Sequence, residues 1–594
     1  MGSFRRAIRL LEIGEEGEPL QLRVHSSGEI LESSFDPSEG VHAIGSVRGR
    51  IDPTTLLIDP SPPADLSALS DEEAVTLHSD AILLRIEGNR LSWIAPDIAG
   101  TRDVFIASVG DTEWWLDDNF ESMVLRLGAV RRNASAERFF VSHGYFCDGE
   151  TFFKDVSRIR TGMRLCFHER LAPNEENLFM LCRPSRWASR LNYRGFREAL
   201  DSVFDAEKID DQDAVLLSGG CDSGIIAGVA ALRFGRRPTA FTHSYVQSMD
   251  NNDVDARRSA RVAEFMGLPH QLVPVDFDAL NIADLDQFVH AMPLAAHFSL
   301  NFLKTVSAAT DNGARRVWCG QNADSVYNLG PTSRLGKGAG KGDIIKRFFL
   351  SREFHRTLPD IQDGSLLNPL FRWVGHAGTH MARYRYRRPF YLPENFNELL
   401  HSFREADHYL ALKKDGAASQ PPCDPPINTC AAREKLFEEK LASFLVGRDA
   451  RCVMRAAGLK RMSAVLPFSA PSLLMFFRSL EQSFCDTLLP KRYMFKYYRE
   501  LVGRKAYGRL YQHKVESKAQ KTDDWQRWVL KNTEIGKALV QGAEPSARAL
   551  GISPDFLKLQ LPVSLFWYDR VYQSARQQGV TILPDGCNRS SAPA

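Results

Sequence analysis

From residue 214 the chain reads Ala-Val-Leu-Leu-Ser-Gly-Gly-Cys-Asp-Ser-Gly, an apolar run that stops in a turn of small residues and passes into helix-period sequence at 225–234. The same texture then repeats, with strand-like runs at 239–245, 271–275 and 316–319 and helical stretches at 254–266 and near 299–309. Parallel neighbours in a sheet need a crossover of a dozen residues or more, and a helix is the usual way to supply it. Short apolar strands alternating with helices therefore predict an α/β fold, a doubly wound parallel sheet with helices on its faces. Upstream the texture differs. Apolar runs at 20–24, 42–47, 81–86, 91–94, 104–107 and 163–167, separated by turn chemistry, predict a β-rich unit before residue 190.

Composition limits the partners. With 75 Lys and Arg against 73 Asp and Glu the formal charge is +2, so nothing in the bulk electrostatics asks for nucleic acid or a membrane surface. The ten cysteines form no CxxC pair and no zinc-type spacing, which predicts reduced thiols in a cytoplasmic protein. Arg9, Glu12, Glu15 and Glu16 break up the first apolar patch, so no signal-peptide core is expected, and no run of eighteen uncharged apolar residues suggests a membrane span. At 594 residues the chain has room for roughly three to five domain-sized units. Gly- and Lys-rich 330–343 and Pro-rich 415–426 read as exposed loops, 433–511 as helical in period and basic, and the last 75 residues as helical.

The turn after residue 217 carries the chemistry. Gly219 and Gly220 let backbone approach an anion, Ser218 and Ser223 supply hydroxyls, and the helix that follows aims its amides at the same point. An aspartate inside a phosphate cradle repels bare phosphate but suits Mg²⁺ carried by a polyphosphate, so Asp222 is a candidate metal ligand. A tight strand-to-helix junction would explain the glycines and leave Ser218, Asp222 and Ser223 unexplained. A second candidate phosphate loop, 336–343, fails on spacing, because Leu335 stands where the first glycine belongs and Gly342 replaces the hydroxyl residue.

Ser218 to Ser223 resembles the SGGxDS pyrophosphate loop of the asparagine synthetase-like ATP pyrophosphatases. Gly320-Gln321-Asn322-Ala323-Asp324 resembles that family's Gly-Glu-Gly-(Ser/Ala)-Asp stretch, in the same order and about 100 residues downstream. The resemblance implies ATP and Mg²⁺ as cofactors, the metal on Asp222 and Asp324. The turn residues and Gly320 would hold the nucleotide. Leu466-Pro467-Phe468, then Lys496 and Lys514, resembles the family's hydrophobic-Pro-Phe segment and its phosphate lysines, with Lys514 and Asp324 in catalysis and Lys496 at the phosphates. Asp253 or Asp255 falls near a further acidic position of the family. The N-terminal unit is similar to the family's glutaminase domain, an Ntn-hydrolase-like sandwich, through 97–105, 148–156 and Thr161-Gly162. The implied organisation is a degenerate glutaminase-like domain at 1–190, an ATP-pyrophosphatase synthetase domain at 191–520 and a helical extension at 521–594.

Two departures bear on function. Glutamine-dependent members carry cysteine directly after the initiator methionine, whereas Gly2 stands there and the first cysteine is Cys147, so glutamine hydrolysis is expected to be absent. Gln321 replaces the Glu of asparagine synthetases and the Tyr of β-lactam synthetases, and an amide cannot act as a general base. The implied reaction is adenylation of a carboxylate followed by amine attack. Macrolactam closure as in lasso peptide cyclases ranks first, β-lactam or other small-molecule amide synthesis second, ammonia-dependent asparagine synthesis third. The partner would be a carboxylate-bearing peptide or small molecule, with a precursor-processing protein alongside in the peptide case. A non-catalytic ATP-binding regulator is the alternative from another class. The stretch 383–391, which alternates Arg with aromatics, raises RNA or acidic-peptide binding, but such alternation also suits a half-buried strand. His376 and His380 lack the glutamate of a metalloprotease helix. Cys221 reads as a small packed hydrophobe within reach of thiol reagents.

Overall fold

The computed structural model describes residues 20–178, 193–323, 449–479, 492–511, 528–550 and 560–585, apart from 26–29, 34–39, 45–46, 53–54, 62, 64, 75, 80, 97–101, 110–111, 147–148, 169–170, 247–253 and 299. Gly2, Cys147, Asp253, Asp324, Lys514, the loops 330–343 and 415–426, His376, His380 and the stretch 383–391 lie outside the described residues.

The described chain is mixed α/β. Two five-stranded antiparallel sheets come first. One runs, edge to edge, Ser157–Arg158, Phe105–Val109, Glu113–Asp117, Gln21–His25, Ile30–Ser33; the other runs Leu171–Asn177, Met163–His168, Arg90–Ala95, Ile82–Glu87, Gly40–Ile44. Because a strand turns alternate side chains to opposite faces, Leu22, Val24 and Leu116 of the first sheet meet Ile82, Leu84, Ile86, Leu165 and Phe167 of the second in one core. The intervening residues Leu83, Trp93 and Cys166 enter a different core, shared with helix α1 (Tyr193–Glu207). Two β elements differ from the sequence expectation. Residues 42–47 are split between Gly40–Ile44 and Val47–Ile51, which belong to different sheets. Leu171–Asn177 has poor strand propensity and contains Pro173, and it is strand because it pairs with Met163–His168 as an edge.

The parallel sheet follows. Its strands are β1 (Ala214–Leu216), β2 (Thr239–Tyr245), β3 (His270–Val275), β4 (Arg316–Cys319) and β5 (Ser463–Val465), in the order β3-β2-β1-β4-β5. Ala214 and Leu216 face one core with Phe241, Val317 and Cys319; Val215 and Leu217 face the other with Ala240 and Trp318. Burial on both faces explains why these strands read as continuous apolar runs. Helices α1, α2 (Cys221–Gly228) and α3 (Val254–Met266) cover one face, and α4 (Ile282–Ala291), α5 (Leu300–Asp311) and α6 (Asp449–Leu459) cover the other. Helix α7 (Pro471–Ser479) and α8 (Arg492–Val502) join the first group. The expectation of an all-helical 433–511 is corrected here, since β5 interrupts it. Three residues on an edge are too few to show a period, and they are strand because they pair with Arg316–Trp318. At the amino end of the sheet the buried carboxylate of Asp213 accepts from Arg316 at 2.7 Å and from the Trp318 indole at 2.9 Å, which fixes β4 beside β1.

The C-terminal segment is not a free extension. Helices α9 (Glu534–Ala549) and α10 (Gln560–Gln577) contribute Leu539, Val563 and Trp567 to the core that also holds α4, α5 and the helix Phe120–Leu127. Thr581–Leu583 pairs in parallel with Ala129–Arg131. Tyr572 donates to the buried Glu137 carboxylate, which also accepts from Arg132 at 3.1 Å. Between the N-terminal unit and α6, Arg451 donates to buried Asp103 at 2.6 Å, and burial opposed by Arg451 and Arg158 leaves that carboxyl at about 2.

One such joint carries a histidine. His290 of α4 donates to Glu121 of the helix Phe120–Leu127 at 2.8 Å, and this bond raises the imidazole above its ordinary value, against burial, with Asp286 and Arg570 the other charges facing it. A raised histidine contributes stability that is fully present below about pH 6.5 and is lost as pH rises through the folded value. The thermal midpoint should therefore fall as pH rises above about 6.5, and H290Q should flatten that slope; an unchanged slope would mean that the pair is energetically silent.

Candidate functional site

The order β3-β2-β1-β4-β5 reverses direction at β1, because the chain steps outward through β2 and β3 and then returns to the other side of β1 as β4. In open α/β sheets the crevice at such a point, outside the carboxyl ends of the strands, is where ligands bind. The turn at 217–220 leaves β1 there, and the segment from Gly320 leaves β4 beside it, since Leu216 and Cys319 are level in the register.

The turn is closed by its own serines. The Leu217 amide donates to Phe241 O at 2.9 Å, and Thr242 Oγ1 donates to Leu217 O at 2.5 Å, so β2 clamps the last residue before the turn. The Ser218 amide donates to Ser223 Oγ at 3.1 Å, and the two hydroxyls lie 3.2 Å apart. Ser223 is buried and Ser218 is exposed. Ser223 thus holds the turn shut from the helix side, and Ser218 is the hydroxyl that faces the crevice. Helix α2 starts at Gly220 with no side-chain cap. Its first turn keeps the partial positive charge of a helix start, and Asp222 stands within it.

Three close approaches shape the cradle. Gly219 has φ +67°, and a Cβ there would lie 2.4 Å from the Cβ of Arg258 and 2.7 Å from the Ser259 nitrogen on α3. Both the conformation and the contact require glycine. A Cβ on Gly320 would sit 3.0 Å from the Cβ of Asp222 and 3.0 Å from the Ser223 nitrogen, so the second segment lies against the first turn of α2. A Cβ on Gly224 would meet the Tyr498 ring of α8 at 2.8 Å. Tyr498 is buried behind the turn, and that burial pushes its hydroxyl well above the usual tyrosine range.

Past Gly320 the backbone turns through Asn322, which has φ +71° and is 2% exposed. Asparagine tolerates this left-handed conformation better than most residues, and it stands where the resembled motif has its second glycine. Its amide donates to Ser469 Oγ at 2.7 Å, tying this segment to the 3₁₀ turn Pro467–Ser469. Phe468 of that turn is buried in the same core as Cys221 and Tyr498. Cys221, 2% exposed, is a packed side chain, and the expectation that reagents reach it is corrected by that burial.

The structure thus brings Ser218, Gly219, Gly220, Asp222, Ser223 and Gly320 together. It does not bring Lys496 to them. That amine sits 3.8 Å over the Tyr193 ring and 3.8 Å from Glu500, on the side of α8 facing α1, while Tyr498 faces α2. Two positions on a helix are about 200° apart, which is why a lysine two residues from Tyr498 points away. Asp255 lies in the first turn of α3. Sequence reasoning missed the contacts of Arg258 with Gly219 and of Tyr498 with Gly224, which depend on helices packing together and have no local signal.

Among the described residues no group of three or more His, Cys, Asp or Glu could hold a metal alone. Asp222 beside a glycine-lined turn fits a hard cation that arrives on a polyphosphate, with the remaining oxygens supplied by the nucleotide. Among the described residues no helix is long and apolar enough to cross a membrane. Residues 196–420 match the family model described as asparagine synthase. No curated protein matches the chain.

Proposed function

Taking as premise that the chain carries an asparagine synthase domain over residues 196–420, a family of ATP-dependent carbon–nitrogen ligases, we propose that it activates a substrate carboxylate as an acyl-adenylate, releases pyrophosphate and closes an amide on an amine. The observation that carries this reading is the approach of Gly320 to within Cβ contact of Asp222, which puts the two resembled motifs on one crevice at the reversal of strand order. The turn amides and Ser218 would hold the pyrophosphate end of ATP, and Asp222, with Asp324 from the second motif, would hold Mg²⁺. The metal would supply charge neutralisation as pyrophosphate departs. The parallel sheet with helices on both faces supports a doubly wound synthetase unit, and the two sheets packed face to face support a glutaminase-type, Ntn-hydrolase-like unit before it.

We place the amine on the substrate, in a macrolactam closure. What favours a source other than glutamine is Gly2, which stands where glutamine-dependent members carry their nucleophile, and Cys166, the described cysteine of the N-terminal sheets, does not replace it. Cys166 is 5% exposed, and burial pushes its thiol up to about 12, far from a nucleophile's range. Incubating the protein with Mg²⁺, ATP and a linear peptide bearing a side-chain carboxylate and a free amine should give AMP, pyrophosphate and a peptide lighter by one water. Release of ADP and phosphate instead would sink the adenylation reading, while AMP release with aspartate and ammonia but no peptide would move the substrate to asparagine.

A further inference from the structure

Resting on the reading of the turn as a pyrophosphate cradle, we propose that Arg258 is one of its phosphate-binding residues. Helix α3 runs back from the carboxyl edge of the sheet, because it begins after β2 ends at Tyr245 and leads into β3 at His270. Its amino end therefore lies at the crevice. Arg258 is in the second turn, and its Cβ is 2.4 Å from where a Cβ on Gly219 would be, so the side chain starts in contact with the cradle. Helical Cα–Cβ bonds tilt toward the amino end, which for α3 is the end at the crevice.

Two observations favour a ligand role over a solvated surface charge. Arg257 and Arg261, its neighbours on α3, are exposed, whereas Arg258 is half-buried and flanked by the buried Ala256 and Ser259. Ser259 donates to Ala256 O at 2.9 Å, which keeps the helix regular where it presses on the turn. A departing pyrophosphate accumulates charge that amides and one metal neutralise only in part. A planar guanidinium matches two phosphate oxygens at once.

The test uses full-length protein and three probes: inorganic pyrophosphate with Mg²⁺, ATP with Mg²⁺, and adenosine, measured by calorimetry. Arg258→Gln should weaken pyrophosphate and ATP roughly tenfold or more and leave adenosine unchanged. Arg258→Met keeps the packed stem without the charge and should behave alike should the glutamine variant prove unstable, and Arg257→Gln should bind like the parent. Pyrophosphate affinity unchanged in Arg258→Met, with the parent binding normally, overturns the assignment and leaves the cradle standing. Equal weakening of adenosine also overturns it, since that marks a merely structural arginine. A parent protein that binds neither pyrophosphate nor ATP overturns the cradle reading itself.

Discussion

Asp222→Asn will reduce AMP formation by roughly a thousandfold or more while shifting stability by at most about 1 kcal/mol. The two magnitudes come from different roles of one carboxylate. As a structural group, Asp222 is half-buried in the first turn of α2, where a negative charge gains about 0.3–1 kcal/mol from the helix start. As a metal ligand it acts where charge develops on the leaving pyrophosphate, and loss of one such interaction is worth several kcal/mol of barrier. Asparagine keeps the volume beside Gly320, so the close packing of that glycine on the first turn of α2 need not change. Thermal unfolding and AMP release, measured on the same preparation, separate the roles. A variant that unfolds early and retains its specific activity would make Asp222 a helix-start residue and nothing more.

Deletion of residues 560–594 will leave little soluble folded protein. The segment contains α10 and the strand Thr581–Leu583. Val563, Trp567, Val571 and Tyr572 of α10 are buried in the core, and Phe152 makes edge contacts with Tyr568 and Tyr572. At about 1.5–3 kcal/mol for each large buried side chain, the loss reaches the whole stability of a typical domain, about 5–15 kcal/mol. The deletion also removes the Tyr572 hydroxyl from Glu137, a carboxylate with no exposure. Because the same apolar core includes α4, α5 and strands of the parallel sheet, the damage should reach the site as well as the N-terminal unit. Sedimentation and the aromatic circular dichroism signal would report it. A monodisperse truncated protein with the parent's midpoint would show that the C-terminal segment is an appendage.

The elements around the site were legible to different degrees. Residues 239–245, 254–266 and 316–319 were bounded to the residue from pattern alone, because each is long or strongly apolar and is punctuated by Gly, Pro or Asn. Ser463–Val465 was not, since an edge strand of three residues takes its identity from its partner. The glycine-rich turn was legible because its backbone demands are local, as the positive φ of Gly219 shows. Lys496 was misleading for the opposite reason. A lysine near a phosphate motif in sequence says nothing about which face of its helix meets that motif, and here the face meets Tyr193 and Glu500.

The sequence by itself determined the alternation of strand and helix, the small-residue turn with Asp222 in it, and the second motif about 100 residues later, because periodicity, glycine conformation and carboxylate chemistry are properties of short segments. Only the tertiary structure decided that Gly320 lies against Asp222, that Arg258 borders the turn, and that Thr581–Leu583 closes on Ala129–Arg131. Those contacts join residues tens to hundreds of positions apart. They are settled by which apolar faces must be buried against one another, and that choice is made by the whole core at once.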